Sequence, residues 1–247
     1  MLSNVDLIIS TIHREENYLE ATLRSLFSTL PVGVEHTVSL VAGSPETGYL
    51  ASYKSQPEIT VVGMGSNTWS WIKGRPLTQR ASWNYYRCLT HNAAGKRDIL
   101  ILEDDVRFAR GWWSRLSAIL ADLLELHGSN FVLTIYSPWD LVLQQHWGER
   151  FYAEYPLGKF YGTQGVYYTA VTRQGFAEYL KLHGLVANEK GYDYLLRDYL
   201  SDAGIPLFAS TPSLIQHMGV KSTGLGTWHD APGFIEDLGS EPQNGCM

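Results

Sequence analysis

Three consecutive carboxylates follow the most apolar short segment of the chain. Residues 98–102 run directly into Glu103, Asp104 and Asp105. Neighbouring carboxylates repel one another and raise each other's pKa unless a cation or hydrogen bonds balance their charge. A divalent cation together with phosphate oxygens is the natural partner of such a cluster. The segment therefore predicts a site for a metal ion and a phosphate ligand, and the alternative is an acidic turn that caps the next helix.

The elements that must position these acids can be predicted from the apolar pattern. Runs of β-branched and other apolar residues predict strands at 5–10, 36–41, 58–62, 98–102, 130–136, 165–171 and 206–209. Apolar residues at helical spacing predict helices at 18–30, 80–92, 112–127, 172–182 and 192–201. Residues 63–79 are predicted as loop, 137–162 show no clear period, and the chain from 219 onward is predicted as loop and tail. This order predicts an α/β fold with a parallel sheet covered by helices, in which ligands bind beyond the carboxyl ends of the strands.

Composition excludes several classes of protein. With 247 residues, 45% hydrophobic, the chain is long enough for one large domain or two small ones. A net charge of −6 argues against a protein whose main ligand is nucleic acid, so no stable nucleic-acid partner is expected. Two cysteines cannot form a disulfide framework, and Cys88 is predicted as a core thiol while Cys246 lies in the tail. Neither a membrane span nor a signal-peptide pattern is present, which predicts a cytoplasmic protein.

Several segments together resemble the GT-A glycosyltransferases, which bind sugar nucleotides, and among them the N-acetylglucosaminyltransferase IV family. The matching segments are 11–15, 18–26, Arg80 with Asn84, 102–105, 193–196 and 212–219. The resemblance implies a GT-A fold, with a Rossmann-like, mostly parallel central sheet flanked by helices. It also implies a single catalytic domain over 1–247, divided into a nucleotide-binding half (1–106), an acceptor half (107–223) and a C-terminal loop or tail (224–247).

The resemblance implies a metal-dependent inverting glycosyltransferase. The donor would be a UDP-sugar, with UDP-GlcNAc first, and the acceptor a hydroxyl of a glycan or glycoconjugate. The acids would form a DXD-type motif in which Asp105 holds Mn²⁺ or Mg²⁺ between the two phosphates, with His217 as the second metal ligand. Glu103 and Asp104 would then contact the ribose or waters around the metal.

The resemblance also indicates where the donor nucleotide is bound. Its candidate residues are Thr11, His13, Arg14, Glu15, Arg80, Asn84 and Lys221. Arg14 follows the first strand and can contact a phosphate or the base through its planar guanidinium, or it is a surface arginine. Arg80 and Asn84 are four residues apart and share one helix face, which either points at the nucleotide or is exposed to solvent. Lys221 could hold the diphosphate as a point charge.

An inverting transfer needs a general base, and a carboxylate at the edge of the cleft suits that role. Asp193 is the first candidate, although an Asp that opens a helix is also a routine N-cap. Asp198 and Glu189 are the substitutes. The loop 161–165 either approaches the donor sugar, with Thr163 or Gln164 bonding its hydroxyls, or is a plain turn. Aromatic residues of the weakly patterned loops could form an acceptor platform or simply pack, namely Trp69, Trp71, Trp139 and Trp147.

Two other functions stay open on the sequence alone. A nucleotidyltransferase can share the nucleotide-binding layout, but it usually carries a glycine-rich loop after the first strand, and residues 11–15 contain no glycine. A non-catalytic sugar- or nucleotide-binding module is the other alternative. The joint presence of the acids, His217 and Asp193 argues against it, because a module that only binds needs no base.

Overall fold

The computed structural model describes residues 5–32, 37–92, 97–138, 150–186, 190–220 and 229–239. Its strands are β1 (Val5–Thr11), β2 (Val38–Ala42), β3 (Ile59–Val62), β4 (Asp98–Glu103), β5 (Val106–Phe108), β6 (Val132–Thr134), β7 (Tyr152–Glu154), β8 (Gly165–Tyr168), β9 (Leu207–Ser210) and β10 (Ile215–His217). Its helices are α1 (Tyr18–Thr29), α2 (Ser66–Ile72), α3 (Leu77–Thr90), α4 (Trp112–His127), α5 (Ala170–His183) and α6 (Tyr192–Ala203). Two short 3₁₀ helices cover Gly48–Tyr53 and Leu157–Lys159.

Eight of these strands form one central sheet in the order β3-β2-β1-β4-β8-β6-β9-β7. The pairs β1–β2, β1–β4, β2–β3 and β6–β9 are parallel, whereas β8 is antiparallel to both of its neighbours and β7 is antiparallel to β9. The predicted α/β fold, with a mostly parallel central sheet flanked by helices, is therefore confirmed. The chain extends the sheet through β2 and β3 on one side of β1 and then returns to its other side as β4, which makes the β1–β4 edge a topological switch point.

Helices cover the sheet on both faces because neighbouring strand residues point in opposite directions. Leu7, Ile9 and Leu100 pack in a core with α1 and α4. Ile8 and Ile101 pack in a second core with α3, α5 and α6. Burial of each such side chain contributes about 1.5–3 kcal/mol. Packing on both faces thus fixes β4, which ends at the acidic segment, and β1, which ends beside it.

A small second sheet lies beside the end of β4. It consists of β5 and β10, which pair antiparallel with His217 opposite Val106. The Met218 N–H donates a 2.7 Å hydrogen bond to the Asp105 carbonyl oxygen. This pairing brings the imidazole of His217 next to the carboxylates that are more than 100 residues earlier in the chain.

The structure departs from the predicted elements mainly in short segments. The prediction of 63–79 as loop is wrong at α2, a seven-residue helix whose N-cap, Gly65, has no capping side chain. Helix α3 begins at Leu77, three residues before the predicted start at 80. The three-residue strands β5, β7 and β10 were not predicted, because three residues are too few to show a strand period.

The remaining sequence predictions concern the cysteines and the membrane. Cys88 is fully buried, as predicted, and burial raises the pKa of its thiol to about 12. Cys246, Trp139 and Trp147 lie outside the described residues, as does position 36 of the second predicted strand. Within the described part of the chain, no helix combines the length and the apolar character that a membrane crossing requires.

Candidate active site

A cavity of about 550 Å³ opens at the carboxyl ends of β1 and β4, where the strand order predicts a ligand. Of the predicted site residues, it is lined by Thr11, Arg14, Arg80, Asn84, Glu103, Asp104, Asp105, Asp193 and His217. Residues from the first and the last parts of the chain therefore meet around one space. That space is within the range of small-molecule and cofactor sites.

Two carboxylates and one imidazole converge in this cavity. One ligand atom each of Glu103, Asp105 and His217 lies within 4.8 Å of the others, and the described residues contain no second group of this kind. The His217 Nε2 atom is 3.4 Å from the Asp105 Oδ2 atom. Carboxylate and imidazole groups at this spacing could hold a divalent cation such as Mn²⁺.

The orientation of the His217 ring suits this role. Its Nδ1 atom is 3.0 Å from the His229 carbonyl oxygen. Because a carbonyl oxygen only accepts hydrogen bonds, Nδ1 carries a hydrogen. The Nε2 atom donates a hydrogen bond to Asp105 when the ring is protonated, and it offers a lone pair to a cation when the ring is neutral. Histidine ligands of metals commonly have their second nitrogen fixed in this way.

Two further observations fit a cation at this position. The Asp105 Oδ1 atom is buried and has no hydrogen-bond partner. A Cβ atom added to Gly219 would lie 2.2 Å from Asp105 Oδ2 and 3.0 Å from His217 Nε2. The residue that faces both candidate ligand atoms thus has no side chain to fill the space between them.

The titration behaviour of the cluster reflects its burial and its crowded negative charge. Burial, followed by the charge of Asp105, raises the pKa of Glu103 to about 7. Burial also opposes ionisation of Asp105, but the hydrogen bond from His217 and the charge of Arg14 hold its pKa below the ordinary value. For His217, burial lowers the pKa, but Asp105 outweighs it and raises the pKa above the ordinary value. The negative charge of Asp105 therefore stabilises a positive charge next to it, such as a protonated His217.

Arg14 is turned towards the acids. Its Nη1 atom donates a 2.7 Å hydrogen bond to Asp105 Oδ2, and its Nη2 atom donates to Asp104 Oδ1. The Arg14 side chain is 15% exposed. Burial would lower the pKa of Arg14, but the neighbouring carboxylates raise it.

Asp104 is engaged by the protein itself. Its Oδ2 atom accepts a 2.6 Å hydrogen bond from the Thr11 hydroxyl and a 3.2 Å hydrogen bond from the Ile12 N–H. Burial raises its pKa to about 6. Asp104 holds the end of β1, and Glu103 lies beside Asp105 and His217. The predicted contacts of Glu103 and Asp104 with ribose or water stay predictions.

Helix α3 brings Arg80 and Asn84 to the cavity on the shared face that their spacing predicts. Asn84 is buried and donates to Ser10 Oγ at 2.9 Å, so it ties α3 to the end of β1. Its side-chain oxygen accepts a 3.1 Å hydrogen bond from Arg87. The Arg80 Nε atom is buried without a hydrogen-bond partner.

Two of the residues predicted to contact the donor do not line the main cavity. His13 is exposed and lines a second cavity of about 230 Å³, where its ring lies 5.4 Å from the ring of Tyr49. Glu15 is exposed and lines neither cavity. Lys221 lies outside the described residues.

Asp193 lines the cavity from the first turn of α6. The N-cap of that helix is Gly191. Asp193 is therefore not the N-cap residue, which was the alternative to its predicted role as the base. Asp198 forms a 2.6 Å ion pair with Lys190 and does not line the cavity. Glu189 lies outside the described residues.

The loop before β8 reaches the cavity beside the acids. Thr163 and Gln164 are buried residues of its wall. The Gln164 carbonyl oxygen accepts a 3.0 Å hydrogen bond from the Glu103 N–H. Trp69 also lines the cavity, whereas Trp71 is exposed and packs edge-on against Trp83.

Sequence reasoning missed three residues of the site. His229 fixes the His217 ring through a backbone carbonyl, and such a contact leaves no signal in residue type. Tyr192 donates a 3.3 Å hydrogen bond to Glu103, but its position in the sequence reads as an ordinary helix start. Gly219 was part of the matched segment 212–219, but its close approach to Asp105 depends on the pairing of β10 with β5.

Comparison with known proteins gives matches among solved structures. No protein-family model matches the chain, and no curated protein matches it. Among solved structures, the chain is similar to the apo form of WbbM, a bifunctional glycosyltransferase, with 14% sequence identity and a TM-score of 0.46. The match covers 80% of this chain and 36% of that one, so the chain spans little more than a third of the matched chain's length. Membership of the N-acetylglucosaminyltransferase IV family stays a prediction.

Proposed function

We propose that the chain is a GT-A type, metal-dependent inverting glycosyltransferase. It transfers a sugar from a UDP-sugar to a hydroxyl of a glycan or glycoconjugate. The observation that carries this proposal is the convergence of Glu103, Asp105 and His217 in a cavity at the β1–β4 switch point. GlcNAc is the first sugar to test, because the family that the sequence resembles transfers it.

The cavity needs additional positive charge before it can accept a diphosphate. Three acidic residues are adjacent there, and Arg14 is already paired with two of them. Mn²⁺ or Mg²⁺ held by Asp105 and His217, with Glu103 beside them, supplies when bound the charge that stabilises the diphosphate leaving group. Arg14 and Arg80 line the same cavity and are the side chains available to donate hydrogen bonds to phosphate oxygens.

The transfer itself is a single displacement. The acceptor hydroxyl oxygen forms a bond to C1 of the sugar, the bond from C1 to the phosphate oxygen breaks, and its electron pair leaves with UDP. The Asp193 carboxylate takes the proton of the acceptor hydroxyl, because it lines the cavity and is partly exposed. Thr163 and Gln164 line the cavity wall and would hydrogen-bond hydroxyls of the donor sugar.

Calorimetric titration of UDP with and without Mn²⁺ tests this proposal. We expect the wild type to bind UDP only weakly without Mn²⁺ and at least about tenfold more tightly with it, since the ion would supply the positive charge that the acidic cavity lacks. Asp105→Ala should lose the increase in UDP affinity that Mn²⁺ gives. Asp202→Ala, which removes an exposed carboxylate from α6, is the matched control and should behave like the wild type.

The outcomes separate the candidate functions. If UDP does not bind either with or without Mn²⁺, the proposal is wrong. The alternatives are then a site for another nucleotide or a protein that only binds its ligand. If UDP binds with Mn²⁺, hydrolysis of UDP-GlcNAc is compared with that of UDP-Gal and UDP-Glc to identify the donor. A glycoside product with inverted anomeric configuration would distinguish the enzyme from a nucleotidyltransferase.

A further inference from the structure

We propose that Arg14 is a built-in counter-ion that competes with the divalent cation for Asp105. The cation then binds strongly only when a nucleotide diphosphate draws Arg14 away. This inference rests on the proposed function, because it requires a cation at Asp105 and His217.

Arg14 and His217 both face the same oxygen atom of Asp105. Asp105 Oδ2 accepts the 2.7 Å hydrogen bond from Arg14 Nη1. The same Oδ2 atom faces His217 Nε2 at 3.4 Å. A cation between the Asp105 carboxylate and the imidazole would therefore lie next to the guanidinium, whichever carboxylate oxygen it bound.

Charge makes the two occupants antagonistic. Arg14 carries one positive charge, and a divalent ion beside it would add two more in a partly buried site. Like charges at such short range repel more strongly there than in bulk water. Without a nucleotide, therefore, Arg14 lowers the affinity of the site for the ion.

Arg14 can exchange partners without losing all of its contacts. It lies between β1 and α1 in a segment with no helix or strand, and its second branch pairs with Asp104. Arg14 also lines the main cavity. A planar guanidinium pairs well with phosphate oxygens, so a diphosphate in the cavity gives Nη1 a new acceptor and releases Asp105. Ion and nucleotide then favour each other's binding by the same factor.

Binding of Mn²⁺ alone tests the inference without an activity assay. The free Mn²⁺ signal in electron paramagnetic resonance gives the bound fraction for the wild type and for Arg14→Gln. We expect Arg14→Gln to bind Mn²⁺ about tenfold more tightly than the wild type in the absence of nucleotide, as removal of one repulsive charge at short range predicts. The factor by which UDP increases Mn²⁺ affinity should be smaller in Arg14→Gln than in the wild type.

Two variants make the test specific. Arg80→Gln removes another positive charge from the lining of the same cavity and should leave the affinity for Mn²⁺ close to that of the wild type. Arg14→Lys keeps the charge, but its ammonium group pairs with one carboxylate at a time, so we expect an affinity between those of the wild type and Arg14→Gln. If Arg14→Gln does not fold, as judged by circular dichroism, Arg14→Lys decides the question by the same measurement.

Failure of the inference can be distinguished from failure of the proposed function. Equal or weaker Mn²⁺ binding in the Arg14 variants, with UDP-dependent Mn²⁺ binding intact in the wild type, overturns the inference alone. An equal increase in Mn²⁺ affinity in Arg80→Gln would also overturn it. The cause would then be the total positive charge of the cavity and not the ion pair between Arg14 and Asp105. Absence of Mn²⁺ binding in every variant, with and without UDP, overturns both.

Discussion

Two carboxylates of the cavity are proposed to act in different steps, and single substitutions can separate them. Asp105 belongs to the cluster that could hold the ion, whereas Asp193 lies in the first turn of α6. A carboxylate that acts only as the general base contributes to the transfer rate but not to nucleotide affinity. The predicted roles therefore differ in what each substitution should change.

Asp193→Asn should lower the rate of sugar transfer by at least about 100-fold, the lower end of what general-base catalysis supplies. Its Mn²⁺-dependent UDP affinity should stay within about twofold of the wild type, since the amide keeps the size of the carboxylate. Transfer kinetics and calorimetry measure the two effects. Asp198→Asn is the matched control on the same helix. If it abolished transfer while Asp193→Asn did not, the base would have to be reassigned.

At the residue scale, the sequence was most informative where chemistry depends on neighbours in the chain. Glu103 and Asp105 are close in any fold, so their clustering could be predicted directly. The pairing of Arg14 with Asp105 and the support of His217 by the His229 carbonyl depend on tertiary structure. A backbone carbonyl is present at every residue, and no residue type marks the one that orients an imidazole.

At the scale of elements, helix α1 fixes the turn that presents the acids. The buried Thr22 hydroxyl donates a 2.9 Å hydrogen bond to the Asp104 carbonyl oxygen and accepts a 3.0 Å hydrogen bond from the Val106 N–H. One side chain of α1 thus bridges the end of β4 and the start of β5. The turn between these strands carries both Asp104 and Asp105.

Thr22→Val should therefore affect stability and the site together. It keeps the shape of the side chain but leaves the buried Val106 N–H without its acceptor, which should lower the free energy of unfolding by about 2 kcal/mol. The acidic turn would lose its anchor, and Mn²⁺-dependent UDP affinity should fall. Urea unfolding and calorimetry measure these effects. Thr22→Ser keeps the hydroxyl and should retain most of the UDP affinity, so equal losses in both variants would contradict this role.

Elements could be predicted where they are long and apolar. The strands β1 and β4 are buried on both faces and contain the apolar runs 7–9 and 99–102, and α4 gives sixteen residues of helical period. The strands β5 and β10 are three residues each, and their pairing is non-local. The element that brings His217 to the acids was therefore the least visible in the sequence.

At the scale of the whole molecule, the site joins segments that are distant in the chain. Arg14 follows β1, Asp105 follows β4, Asp193 lies in the first turn of α6 and His217 ends β10. The sheet order places the carboxyl ends of β1 and β4 side by side, and the small second sheet adds β10. A ligand that contacts all of these segments must be released before the molecule can unfold.

Ligand binding should therefore raise the thermal stability of the whole chain. A ligand at about 100 times its Kd adds about 2.7 kcal/mol to the free energy of unfolding. For a chain of this size that corresponds to a rise in Tm of about 5–10 °C. We expect this rise with Mn²⁺ and UDP together and a much smaller one with Mn²⁺ alone, because Arg14 then still holds Asp105. Differential scanning calorimetry measures it, and Asp105→Ala should show no rise with the pair. An equal rise in Asp105→Ala would mean that UDP binds elsewhere, and the cavity would lose its assignment as the donor site.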